Sequence, residues 1–163
     1  MKKITELEIG GISFGLTSGI ITTLGLIVGL NSATGGSRLA IIAAIFTIAV
    51  ADSLSDALGM QLSEESRLDE KNKPTWIITL STFLGKFVFS LIFVLPILLL
   101  DMRNAVIASL LMGLALIAAE AWFIAIREKK SVPKQIISHT SLTLLIIALS
   151  YIVGNVADRI ASR

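Results

Sequence analysis

The chain reads as an all-α integral membrane protein of five transmembrane helices, with its N-terminus in the cytosol and its C-terminus outside. Three observations predict this. Hydrophobic residues make up 54% of the 163 residues and charged ones only 16%, against about 45–50% apolar and 25% charged in soluble domains. The charges gather in short clusters between long apolar runs, and the mean hydropathy is +0.84. Basic residues are divided unevenly between the ends of those runs. Nine (Lys2, Lys3, Arg67, Lys71, Lys73, Arg127, Lys129, Lys130 and Lys134) fall on one side, and four (Arg38, Arg103, Arg159 and Arg163) on the other. The richer side is expected to be cytosolic. The net charge of +2 is no nucleic-acid signal, because the basic residues flank the apolar runs.

Five runs, at about 9–30, 39–62, 75–100, 104–126 and 135–157, each exceed the roughly 20 residues needed to cross a hydrocarbon core of about 30 Å. They are continuous rather than alternating, so a β-barrel is not indicated. The first run is too long for the apolar core of a signal peptide and lacks a convincing cleavage pattern, so it is expected to remain a span. On it Gly11, Gly15 and Gly19 recur every four residues, and Gly25 and Gly29 continue after a phase shift. Small residues at this spacing let helices approach closely. The stripe fits packing within one protomer or, as the sharper expectation, a homodimer axis.

The second run carries Asp52 and Asp56. The third follows Pro74, a candidate first-turn proline, and contains Lys86 near its middle. Pro96 is expected to kink its outer end. The fourth contains Glu120, and the fifth begins one turn before His139. The connections at 31–38 and 101–103 are outside turns, and those at 63–74 and 127–134 are inside. All are short, so residues 1–163 form a single membrane domain with no evident internal repeat.

Acids inside a bilayer are expensive, at roughly 2.5–3.5 kcal/mol for one at the centre of a helix. Asp52, Asp56, Gly59, Met60 and Ser63 fall on one helical stripe. Two carboxylates suit a divalent cation, and the thioether of Met60 tilts the preference toward a transition metal. A methionine on an apolar helix is more often plain packing. By depth, Ser13, Thr17 and Ser18 of the first span and Glu120 of the fourth lie near the level of Asp56. Lys86 has two readings: a structural counter-ion that fixes helix register, or a group that holds an empty cation site closed. Three acids against one base favour proton or metal exchange, because protonation releases a bound metal.

His139 is a candidate proton relay, although an interfacial structural histidine is the plainer reading. Glu64, Glu65, Asp69 and Glu70 form either a cation-attracting mouth or a solvated helix end. With no cysteine and one histidine, thiolate chemistry and disulfides are excluded. No phosphate-cradling loop or nucleophile elbow is present, so an enzyme is not expected and no resident cofactor is implied.

The segments Gly15-Leu16-Thr17, Ala51-Asp52 and Leu58-Gly59-Met60-Gln61-Leu62 resemble the vacuolar iron transporter family. That resemblance implies five spans and a dimer that exchanges ferrous or manganous ions for protons along a path between protomers. By position, Asp52 stands at the family's second-span glutamate and Met60 at the methionine eight residues later. Thr17 belongs to the Gly-Leu-Thr motif. The sequence departs in two places. Phe14 occupies a usual aspartate position, for which Asp56 is expected to compensate. The glutamate-rich cytosolic domain of eukaryotic members is replaced by the short link at 63–74.

The expected function is a proton-coupled exporter of divalent transition metal in a prokaryotic cell membrane. Asp52 and Asp56 are expected as core metal ligands, Met60 as a softer one, Thr17 as lining the path and Glu120 as a further proton or metal site. The rival is a non-transporting scaffold or assembly subunit with a buried structural ion network. A membrane-embedded enzyme with a paired-aspartate dyad is a third, without a supporting substrate motif.

Overall fold

The structure is a computed structural model that describes residues 2–67 and 75–162, with side chains described over 7–66 and 75–162. Expectations resting on Lys2, Lys3, Arg67, Asp69, Glu70, Lys71, Lys73, Pro74 and Arg163 lie outside those residues or side chains.

Among the described residues the chain is helical throughout: α1 (Lys2–Thr34), α2 (Arg38–Arg67), α3 (Trp76–Leu91), α4 (Val94–Leu99), α5 (Met102–Arg127) and α6 (Val132–Ala161). Five stretches are long and apolar enough to cross a membrane: Leu7–Thr34, Arg38–Ser66, Trp76–Leu99, Met102–Arg127 and Val132–Ala161. The third combines α3 and α4. The break between them lies four residues ahead of Pro96, whose ring crowds the Ile92 carbonyl and which has no N–H to offer it. That carbonyl instead accepts from Leu95 N at 3.3 Å, a tighter i+3 bond. The helix is thus interrupted where a kink was expected, with Ile92 and Phe93 keeping helical dihedrals.

The helices run past the apolar boundaries because their ends are set by backbone capping rather than by hydropathy. α1 stops where Gly35 adopts φ +62° and Gly36 N donates back to Asn31 O at 3.1 Å. This six-to-one bond closes a helix through a left-handed residue. α5 ends the same way at Lys129, with φ +55° and Lys130 N donating to Ala125 O at 2.9 Å. Asp101 caps the start of α5, its carboxylate accepting from Asn104 N at 3.3 Å.

α1 is the central helix and packs on α2, α3, α5 and α6. Its glycines explain how it touches so many neighbours. A Cβ on Gly15 would lie 2.4 Å from Thr82 O and 2.7 Å from Lys86 N, and one on Gly19 would lie 2.9 Å from Lys86 O. Gly11 likewise faces Ile78 O and Ser81. These three glycines therefore meet α3 within the same chain. That corrects their assignment to a dimer axis: the spacing was right for close helix contact, and the partner is α3. Gly25 and Gly29 face Ser150 of α6, and Gly154 of α6 meets the Gly29 carbonyl in return.

One half of the bundle has an apolar core of Ile20, Leu24, Ile27, Ile41, Ile45, Phe93 and Ile97. Toward the end where α1 begins, the interior turns polar, with buried Ser53, Thr82, Lys86 and Glu120. Leu, Ile, Val and Phe side chains cover the outside of every span, as a lipid-facing surface requires.

Candidate functional site: a shared ammonium within the spans

Among the described residues Lys86 is one of the largest fully buried side chains, at 1% exposure. Its backbone is fixed by the contacts with Gly15 and Gly19, and its side chain extends toward α2. There the ammonium meets Asp52 Oδ2 at 2.5 Å and Asp56 Oδ2 at 2.6 Å. It also donates to Ser18 Oγ at 2.9 Å, and Ser18 in turn donates to Asp56 Oδ2 at 2.6 Å. Aspartates one helical turn apart present their carboxylates to the same side, which lets one cation serve both.

The charges do not balance. One ammonium faces two carboxylates, and both bonds end on an Oδ2 atom. Asp52 and Asp56 keep 35% and 24% side-chain exposure, on a helix that also leaves Ala51, Ser55 and Gly59 exposed. On α3, Thr82 and Ser90 flank Lys86 one turn to either side; both are buried, and their hydroxyls have no partner among the described residues. The three residues form a polar column facing the glycine stripe of α1.

Thr17 and Ser18 are adjacent, so on a helix they point about 100° apart. Ser18 joins the aspartates, and Thr17 joins Glu120. Its hydroxyl lies 2.5 Å from Glu120 Oε2 and 2.9 Å from the Ser13 carbonyl. A hydroxyl has one proton, which serves two acceptors here. Glu120 Oε1 is buried without a partner among the described residues. Glu120 and Thr17 therefore form a second polar site, across α1 from Lys86.

The structure brings Asp52 and Asp56 together and leaves Glu120 apart. Met60 is half-buried on the same helix as the aspartates. Among the described residues no three His, Cys, Asp or Glu side chains form a metal-holding group. His139 lies on α6 beside Gln135, 3.0 Å from its amide nitrogen, with Nδ1 buried and without a partner among the described residues.

Sequence reasoning placed Ser18 by depth but missed its role in orienting Lys86. It also missed a bridge at the other end of the α2–α3 contact. There Thr79 donates to Gln61 Oε1 at 2.9 Å, and Gln61 donates to Glu65 Oε1 at 2.8 Å. The four-residue spacing of Gln61 and Glu65 was the available signal.

Comparison with protein-family models, curated proteins and solved structures finds no match to the chain.

Proposed function

We propose that the chain is a small membrane transporter that exchanges a divalent transition-metal cation, ferrous or manganous, for protons, moving the metal out of the cytosol. The observation that carries this reading is the single Lys86 ammonium shared by Asp52 and Asp56. In this proposal Lys86 is a built-in stand-in for the cargo. A divalent cation brings two positive charges to two carboxylates where the lysine brings one, so it competes for the same oxygens. Protonating the carboxylates weakens the metal's hold, and the ammonium closes the site again.

One chain offers too few ligands to strip a metal of its water. A second copy against α2 would supply more. Ala43, Thr47, Ala51, Ser55 and Gly59 are exposed at four-residue intervals, and a Cβ on Gly59 would meet nothing within 4 Å. Small residues at this spacing support close helix pairing in lipid. They adjoin two half-exposed aspartates that lipid alone would cover poorly. The proposed homodimer therefore pairs through the second span and places Asp52, Asp56 and Met60 of both copies along one path.

The test is manganous flux into proteoliposomes under an opposing pH gradient. Wild-type protein moves metal and Asp52→Asn or Asp56→Asn does not. Equal flux with either variant removes the proposed site. The scaffold reading has an observation in its favour: the ammonium already faces three oxygens, a well-satisfied structural arrangement. On that reading wild-type vesicles show no flux above protein-free ones.

A further inference from the structure

We infer that the cavity between α1 and α5, walled in part by Glu120, is a binding site for a monovalent organic cation with an apolar body, separate from the Lys86 site. The cavity has a volume of about 360 Å³, within the range of small-molecule sites, which are mostly apolar with a few placed polar groups. Leu16, Phe89, Leu116, Ala119 and Phe123 supply apolar wall, and no lysine or arginine lines it. Glu120 is the one acidic residue in the lining. The residue is 6% exposed, and its Oε1 has no hydrogen-bond partner among the described residues.

The charge and shape of the pocket select the occupant. A carboxylate in an apolar wall calls for a positive partner; turning Oε1 inward about the broad last torsion of the glutamate carries Oε2 away from Thr17, whose hydroxyl keeps the Ser13 carbonyl as acceptor. Phe89 and Phe123 add aromatic faces that attract organic ammonium groups. A divalent metal is poorly served, because beyond one carboxylate and Ser13 the lining is apolar. An aminophospholipid is poorly served too, because its phosphate would have to follow the ammonium into the apolar cavity. A smaller cavity of about 230 Å³ adjoins it, sharing Ile9, Ser13 and Phe123 and extending to Arg127 and Glu128.

The test is equilibrium dialysis of benzyltrimethylammonium, whose charge is permanent, against the full-length protein in detergent. The expected result is saturable binding of one cation per chain. Binding is expected to weaken at least tenfold in Glu120→Gln and in Ala119→Phe, which fills the cavity without touching the carboxyl. Helix content and gel-filtration profile establish that each variant is folded, and if Glu120→Gln is not, Ala119→Phe decides. Manganous chloride is not expected to displace the bound cation. No saturable binding by the wild type, undiminished binding by the folded variants, or one-for-one displacement by manganous ion overturns the inference. The readout is binding rather than flux, so it stands or falls independently of metal transport.

Discussion

Replacing Lys86 with methionine keeps most of the side chain's volume and removes its charge. In the structure that charge lies 2.5 Å from Asp52 and 2.6 Å from Asp56. Breaking a buried ion pair by deleting one partner costs about 3–5 kcal/mol. The aspartates retain 35% and 24% exposure, so screening moves the expected loss to the lower end, about 3 kcal/mol. The transport reading adds a second expectation. Lys86→Met leaves two adjacent carboxylates with no cation, and a manganous ion should replace the ammonium. At a hundred times its dissociation constant, a ligand that binds only the folded state stabilises it by about 2.7 kcal/mol, nearly the whole deficit. Thermal unfolding in detergent, followed by the emission of Trp76 and Trp122, measures both effects. The triple variant Lys86→Met/Asp52→Asn/Asp56→Asn should recover stability without metal and gain nothing from it. If Lys86→Met is destabilised and manganous ion restores none of the loss, the two carboxylates do not form a cation site and the scaffold reading stands.

Other consequences are open to measurement. Gly15→Ala should destabilise the fold by about 1–3 kcal/mol, the usual range for overpacking, because its Cβ would meet backbone atoms of Thr82 and Lys86. Gly10→Ala, where a Cβ meets nothing within 4 Å, should be neutral or slightly stabilising in the same melt. Ser55→Phe should leave the chain folded but shift a detergent-solubilised dimer toward monomer by light scattering, because Ser55 lies on the exposed small-residue face of α2. An unchanged dimer rules that face out. Asp101 is held below its ordinary value of 3.8, first by the backbone hydrogen bond from Asn104. A depressed carboxyl stabilises the fold above its unfolded value, and that contribution fades as pH falls through the folded one. Amide exchange in the first turn of α5 should therefore show extra fraying only below about pH 4, and Asp101→Ala should fray it at every pH.

The spans were legible in the sequence because lipid forces the backbone to satisfy itself over a fixed thickness, and a continuous apolar run is the direct record of that. Their ends were less so. α1 reaches Thr34 and α5 starts at Met102 because caps at Gly35 and Asp101 stop and start helices independently of hydropathy. Relative level along the bundle was also legible. At about 1.5 Å per residue, counting along each span put Ser18, Asp56 and Lys86 at one height, and they meet in the structure.

Counting residues along a span does not give the direction in which each one faces its neighbours. Gly11, Gly15 and Gly19 announced a close helix contact without naming α3 as the helix. Glu120 shares a depth with the aspartates but sits on the other side of α1, and only the packed bundle separates the Thr17 direction from the Ser18 direction. The same geometry determines what the site can do. Had Glu120 faced Lys86, three carboxylates would have shared one ammonium in a single network. The acidic groups instead form two separated sites, one with a resident ammonium and one with an oxygen that has no partner among the described residues, and on the proposed reading each answers a different cation. Binding of manganous ion and of an organic ammonium to the same protein, without mutual displacement, is therefore the observation that would tie function to this arrangement rather than to charge in general.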